Sequence, residues 1–142
     1  MVARLYRDWV GEATTLGLRA DSEESLAAKL QGWFLVACHE GEVIGFATGE
    51  ARALAAGEWA VCPPGGRYLH VEDVSVVPTF RERGVGSALM KRLMGTAKAE
   101  HVDQVAVYSS SQPWSRITGF YESLGLRVWF VQMYGEIPGE AL

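Results

Sequence analysis

The sequence lacks the features that would staple or anchor a chain. Only two of its 142 residues are cysteine, Cys38 and Cys62, and neither has a CxxC partner, so no disulfide framework or thiolate cage is written into it. The three histidines, His39, His70 and His101, are scattered; no metal-ligand spacing emerges and no metal is expected. Lys and Arg form no run, and 13 basic against 17 acidic residues give a net charge of -4, which argues against nucleic acid or an anionic membrane as partner. Long apolar stretches are missing too. The first five residues lead straight into Tyr6, Arg7 and Asp8, so neither a leader nor a membrane span is expected, and a cytoplasmic location is the default.

What is present is enough apolar material for one core. Hydrophobic residues make up 49% of the chain, and the length predicts one domain over residues 1–142. The periodicities alternate between helix and strand, predicting an α/β or α+β fold. Leu5, Trp9, Ala13 and Leu16 fall on one helical stripe closed by Gly17, and Asp21 or Ser22 can cap a second helix carrying Leu26, Ala27 and Leu30. Residues 33–39 and 43–48 read as a hairpin around Glu40-Gly41-Glu42. Residues 51–66, with Gly57, Pro63, Pro64, Gly65 and Gly66, form the longest expected loop. Residues 68–77 give the strongest strand. Val85, Leu89, Leu93 and Ala97 trace a helix, residues 105–108 a short strand, and residues 114–124 a helix stopped by Gly125. Residues 126–134 have the aromatic and β-branched content of a final strand, and residues 135–142 are expected to be partly mobile.

The most informative unit is a strand, a turn and a helix. Leu69-His70-Val71-Glu72-Asp73-Val74-Ser75-Val76-Val77-Pro78 is followed by Thr79-Phe80-Arg81-Glu82-Arg83-Gly84-Val85-Gly86-Ser87 and then by the helix. Gly84 and Gly86 remove Cβ atoms where a ligand would approach the backbone, and a helix start leaves N–H groups pointing outward. Such a turn suits an anion, above all phosphate. No Gly-Lys-Ser/Thr follows, so it is not a P-loop, and the third glycine of a dinucleotide fingerprint is missing.

Arg81-Glu82-Arg83-Gly84-Val85-Gly86 resembles the Gln/Arg-x-x-Gly-x-Gly/Ala signature of GNAT acetyltransferases, and Gly119-Phe120-Tyr121-Glu122-Ser123-Leu124-Gly125-Leu126 resembles that family's later Phe-Tyr-x-x-x-Gly-Phe segment. The resemblance spans roughly residues 33–134. It implies a mixed, mostly antiparallel central sheet with a splayed parallel strand pair, flanked by helices. It further implies acetyl-CoA as co-substrate, with Val74, Ser75 and Val76 holding pantetheine like an added strand. Glu82, Arg83, Gly84, Val85, Gly86 and Ser87 would cradle the pyrophosphate. Arg81, Arg83, Lys91 and Arg92 are candidates for the remaining phosphate; solvated surface charge explains each equally well.

The expected reaction is transfer of acetyl to a primary amine by direct attack in a ternary complex, which assigns no role to Cys38 or Cys62. A lysine-like amine has a pKa of about 10.4, so a base must remove its proton first. Glu72 and Asp73 are the candidates. Because successive strand side chains alternate, at most one should face a given cleft; the resemblance favours Glu72, directly or through water, while ion pairing with a nearby Arg is the plainer role for either. Tyr121 matches the position from which a tyrosine donates a proton to the departing thiolate; it also fits an ordinary core residue of its helix. A backbone N–H near Val74 would stabilise the oxyanion.

The chain departs from the family where an Asn often contacts the cofactor: Trp114-Ser115 stand there, leaving Ser110, Ser111 or Ser115 to substitute. The opening strand is absent or reduced to residues 1–4. Trp59, Tyr108, Trp114 and Trp129 are either pocket aromatics or core. The acceptor remains open between a small-molecule amine and a protein amino group, and the resemblance leaves open a homodimer through the final strands. The competing reading is a non-catalytic acyl-CoA-binding or interaction module of the same fold.

Overall fold

In the computed structural model the described residues are 3–5, 7–8, 22–54, 62, 65–109, 113–133 and 135–139. Ser22 opens helix α1 (Glu23–Ala28), its hydroxyl accepting the Ser25 N–H at 3.1 Å. Glu23 and Glu24 occupy the first turn, where the helix dipole favours negative charge. A 3-10 turn (Lys29–Gln31) leads into β1 (Trp33–His39). Glu40 and Gly41, with φ of 50° and 82°, reverse the chain as a two-residue hairpin requires. β1 pairs antiparallel with β2 (Glu42–Ala53), and β2 pairs antiparallel with β3 (Arg67–Val76). After β3 come a 3-10 turn (Pro78–Phe80) and helix α2 (Val85–Ala99). β4 (Val105–Val107) then lies parallel to β3, and helix α3 (Trp114–Ser123) follows, its exit turned by Gly125 at φ 88°.

The product is a four-stranded mixed sheet in the order β1-β2-β3-β4, flanked by helices, the α/β class read from the periodicities. Ala47, Leu69 and Val71 meet Leu89, Met90, Leu93 and Ala97 of α2 in the main core. Phe46 packs with Leu26 of α1, with Phe34, Ala3 and Leu5 against them.

Two elements differ from the sequence reading. β2 runs to Ala53 rather than stopping at Thr48; its distal half alternates small and polar residues, so it lacks an apolar run but keeps its ladder to β3. The expected final strand is corrected for the described residues 126–133, which have no regular secondary structure. Strand-like composition makes a strand only where a ladder partner exists, and the Leu126 N–H instead donates back to the Tyr121 carbonyl at 3.1 Å. Residues 3–5 and 7–8 are helical, as the first stripe predicted. Trp9, Ala13, Leu16, Gly17, Asp21, Gly57, Trp59, Pro63, Pro64, Ser110, Ser111, Tyr134 and residues 140–142 lie outside the described residues.

Candidate active site

The site is built by an irregularity in β3. Thr48 pairs with Asp73 while the next residue, Gly49, pairs with Val71, so Glu72 is an extra residue, a β-bulge. On the near side of the bulge, Leu69 and Val71 enter the α2 core; beyond it, Val74 packs against that core. The bulge thereby breaks alternation and turns Glu72 and Asp73 toward the same side. Lys29 demonstrates it: its Nζ lies 2.7 Å from Asp73 Oδ2 and 3.4 Å from Glu72 Oε2. Both carboxylates reach Lys29 from one side of the sheet, yet only Glu72 lines the cavity there, while buried Asp73 does not.

Asp73 is buried, at 7% exposure, and its Oδ2 also accepts the Thr48 hydroxyl at 2.6 Å. Glu72 is more open, and its Oε1 accepts from Arg52 Nη2 at 3.3 Å. Arg52 in turn donates through Nε to Glu50 Oε1 at 2.7 Å. Lys29, Thr48, Glu50 and Arg52 were not singled out from the sequence. Thr48, Glu50 and Arg52 are spaced by two along β2, a polar stripe that extending the strand beyond Thr48 would have exposed. A cavity of about 300 Å³ opens here, lined by Lys29, Thr48, Glu50 and Glu72 together with Ser25 and Gln31.

Tyr121, on α3, packs at the margin of the main core, its ring 4.9 Å from that of Phe120. Burial, reinforced by the negative charge of Asp73, pushes its phenol up from 10.0 to about 12. The side chain is therefore a protonated donor across the neutral range.

Pairing between β3 and β4 covers Leu69↔Val105, His70↔Ala106 and Val71↔Val107 and then ends. Among the described residues, β3 continues through residues 72–76 with no ladder partner from β4, leaving an edge to which an extended ligand arm can add. Val74, Ser75 and Val76 lie on this stretch, with Ser75 buried. The strand feeds the turn to α2, where Gly84 adopts φ 82° and no side chain caps the helix. A Cβ on Gly84 would meet nothing within 4 Å, so the backbone over the turn is open. The first-turn N–H groups of Val85, Gly86 and Ser87 have no acceptor within the helix. Gly86 serves packing instead, since a Cβ there would lie 3.4 Å from the Phe120 ring.

The side chains of the other candidates are engaged by neighbours or exposed. Arg81 Nε donates to the Val76 carbonyl at 2.8 Å, and the Arg83 guanidinium stacks 5.2 Å over Phe80. Glu82, at φ 61°, faces Arg116 at 4.0 Å. Lys91 and Arg92 are exposed on α2. Tyr108, Trp114 and Trp129 are exposed and line no part of the charged cavity; Tyr108 instead meets His70 and Phe130 at 6.2 and 6.0 Å.

An open strand edge running into a glycine turn at a helix start, with carboxylates and a protonated tyrosine alongside, defines an acyltransferase architecture. A sequence model of the acetyltransferase (GNAT) family matches residues 2–126, and the chain belongs to that family. Comparison with the curated proteins finds no match. Among solved structures, the chain resembles an acetyltransferase of Trypanosoma brucei with 24% identity and a TM-score of 0.66, over 96% of this chain and 90% of that one. A putative acetyl transferase from Pyrococcus furiosus aligns at 20% identity and TM-score 0.68, over 96% and 91%. An aminoglycoside N-acetyltransferase in complex with CoA aligns at 22% identity and TM-score 0.61, over 81% and 87%. At these identities the likeness is one of fold.

Proposed function

We propose that this protein moves an acetyl group from acetyl-CoA to a primary amine by direct attack in a ternary complex. The observation that carries the reading is the continuity of the unladdered β3 edge with the uncapped start of α2, beside Glu72 and Tyr121. Val74, Ser75 and Val76 would hold the pantetheine arm through their backbone. Val85, Gly86 and Ser87 would direct N–H groups at the pyrophosphate, where the helix dipole favours negative charge. Acetyl-CoA supplies the activated thioester.

Glu72 takes the proton of the incoming ammonium, directly or through water, and Tyr121 gives a proton to the departing thiolate. Both oxygens of Glu72 are engaged by cations, so an entering ammonium competes with them for the carboxylate's remaining lone pairs. That same engagement favours the second reading, a non-catalytic acyl-CoA-binding module. The two part on whether any amine stimulates thiol release.

Calorimetric titration of acetyl-CoA into the wild type and Ser87→Glu tests the cofactor site. A carboxylate in the first turn suits a helix start and leaves the fold intact, while it repels the pyrophosphate. Saturable binding by the wild type, lost in Ser87→Glu, is expected; absence of binding by the wild type would sink the reading.

A further inference from the structure

One face of the sheet carries a row of rings that neither core uses. Leu69 and Val71 turn into the α2 core, so Tyr68 and His70 point to the other face. Glu72 and Asp73 meet Lys29 on that same face, since α1 packs on Phe46 while the neighbouring Ala47 faces α2. Across the ladder His70 pairs with Glu50 and Tyr68 with Arg52, and His70 feels the charges of Arg52, Glu72 and Glu50. From there Tyr68, His70, Tyr108, Phe130 and Trp129 follow one another at ring-centroid separations of 6.5, 6.2, 6.0 and 5.6 Å. Tyr108, Phe130 and Trp129 are 69, 49 and 50% exposed, so the row is available to a molecule arriving from solvent. Burial, reinforced by Arg52, pushes the His70 imidazole below its usual value, and the whole row is uncharged at neutral pH.

We propose that Tyr108 is a specificity-determining residue of the acceptor site, with His70, Phe130 and Trp129 completing its wall, and that the acceptor is a small primary amine carrying an aromatic ring. The inference rests on the proposed transfer reaction, which puts the thioester where β3 and β4 part. That parting follows Val71↔Val107, and Tyr108 is the next residue after β4, so the row meets the reaction centre at the level of Glu72. An ammonium is common to all such acceptors; its substituent is what this wall can sort. Successive rings are inclined by 82, 52, 70 and 73°, so the row offers no flat shelf for a sugar. An incoming aromatic ring can instead join it edge to face, as the protein's own rings join each other. The charged cavity on the β2 side of Glu72 has no aromatic side chain in its lining, which leaves this row as the apolar side of the approach.

Phenethylamine and cyclohexylethylamine, which share a carbon skeleton and differ in aromaticity, are the probes, with glucosamine as a third. Their binding is read by calorimetry with and without saturating CoA, so the result does not depend on turnover. The wild type should bind phenethylamine about fivefold or more tightly than either of the others. Tyr108→Ala should abolish that preference, while Tyr108→Phe, which keeps the ring, should retain it. Both changes fall on a side chain outside the cores and leave the fold intact; Phe130→Ala, on a second exposed ring, should weaken the preference in the same direction. A wild type that does not prefer phenethylamine overturns the inference, as does an unchanged preference in Tyr108→Ala. Analytical ultracentrifugation reads the competing occupant: a dimer that dissociates in Tyr108→Ala and Phe130→Ala would make the row an interface between copies and overturn the inference as well. Failure of acetyl-CoA to bind, read in its own titration, strikes the transfer reading instead.

Discussion

Tyr121 is the residue where environment most clearly sets chemistry. Burial and the neighbouring charge of Asp73 raise its phenol to about 12, so the folded state holds this proton more firmly than the unfolded chain. The stability this contributes is complete below about pH 10 and is lost as pH rises toward about 12. Tyr121→Phe should flatten that alkaline loss in denaturant titrations, and should lower kcat by about 100-fold with little change in acetyl-CoA affinity. An unchanged kcat would remove Tyr121 from the acid's role and leave it a packing residue. Tyr121 was legible through the resemblance of residues 119–126 to the family's Phe-Tyr-x-x-x-Gly-Phe segment. The partner of Asp73 was not, because Lys29 reaches it across 44 positions of sequence and no local pattern records that contact.

Among the elements, β2 and β3 decide the site together. Gly49 sits where the register slips, and a Cβ there would come within 2.9 Å of both the His70 carbonyl and Leu69 Cδ1, and 3.3 Å of Leu93. The carbonyl belongs to the backbone and cannot rotate aside. Gly49→Ala should therefore destabilise the fold by about 1–3 kcal/mol, read by urea unfolding, and should lower transfer activity in the fraction that remains folded by disturbing Glu72 and Asp73. Unchanged stability would mean that the strands separate there more easily than their packing indicates. A bulge is a property of two paired strands, which is why β3 was recognisable from residues 68–77 while its bulge was hidden. The misread segment 126–133 makes the same point from the other side. Its residues favour a strand, yet composition carries no information about an available edge.

At the scale of the whole molecule, cofactor binding and folding are linked. The proposed cradle joins β3 to α2, whose buried face supplies Leu89, Met90, Leu93 and Ala97 to the core, so a ligand bound there acts on the cooperative unit. Acetyl-CoA at a hundred times its Kd should stabilise the protein by about 2.7 kcal/mol, which for a chain of this size raises Tm by roughly 6–10 °C. Differential scanning calorimetry should find the rise in the wild type and not in Ser87→Glu. A similar rise in both would put the ligand elsewhere on the surface.

The parting of β3 and β4 after Val71↔Val107 also bears on the protein's colloidal behaviour. A strand edge without a ladder is a template on which another polypeptide can crystallise its own backbone, and proteins ordinarily blunt such edges with charge, proline or a covering element. Here the stretch that parts carries Glu72 and Asp73 and then Val74, Ser75 and Val76, and under the proposed function acetyl-CoA would cover it. On the same reading, acetyl-CoA added to the purified protein would then reduce its tendency to associate.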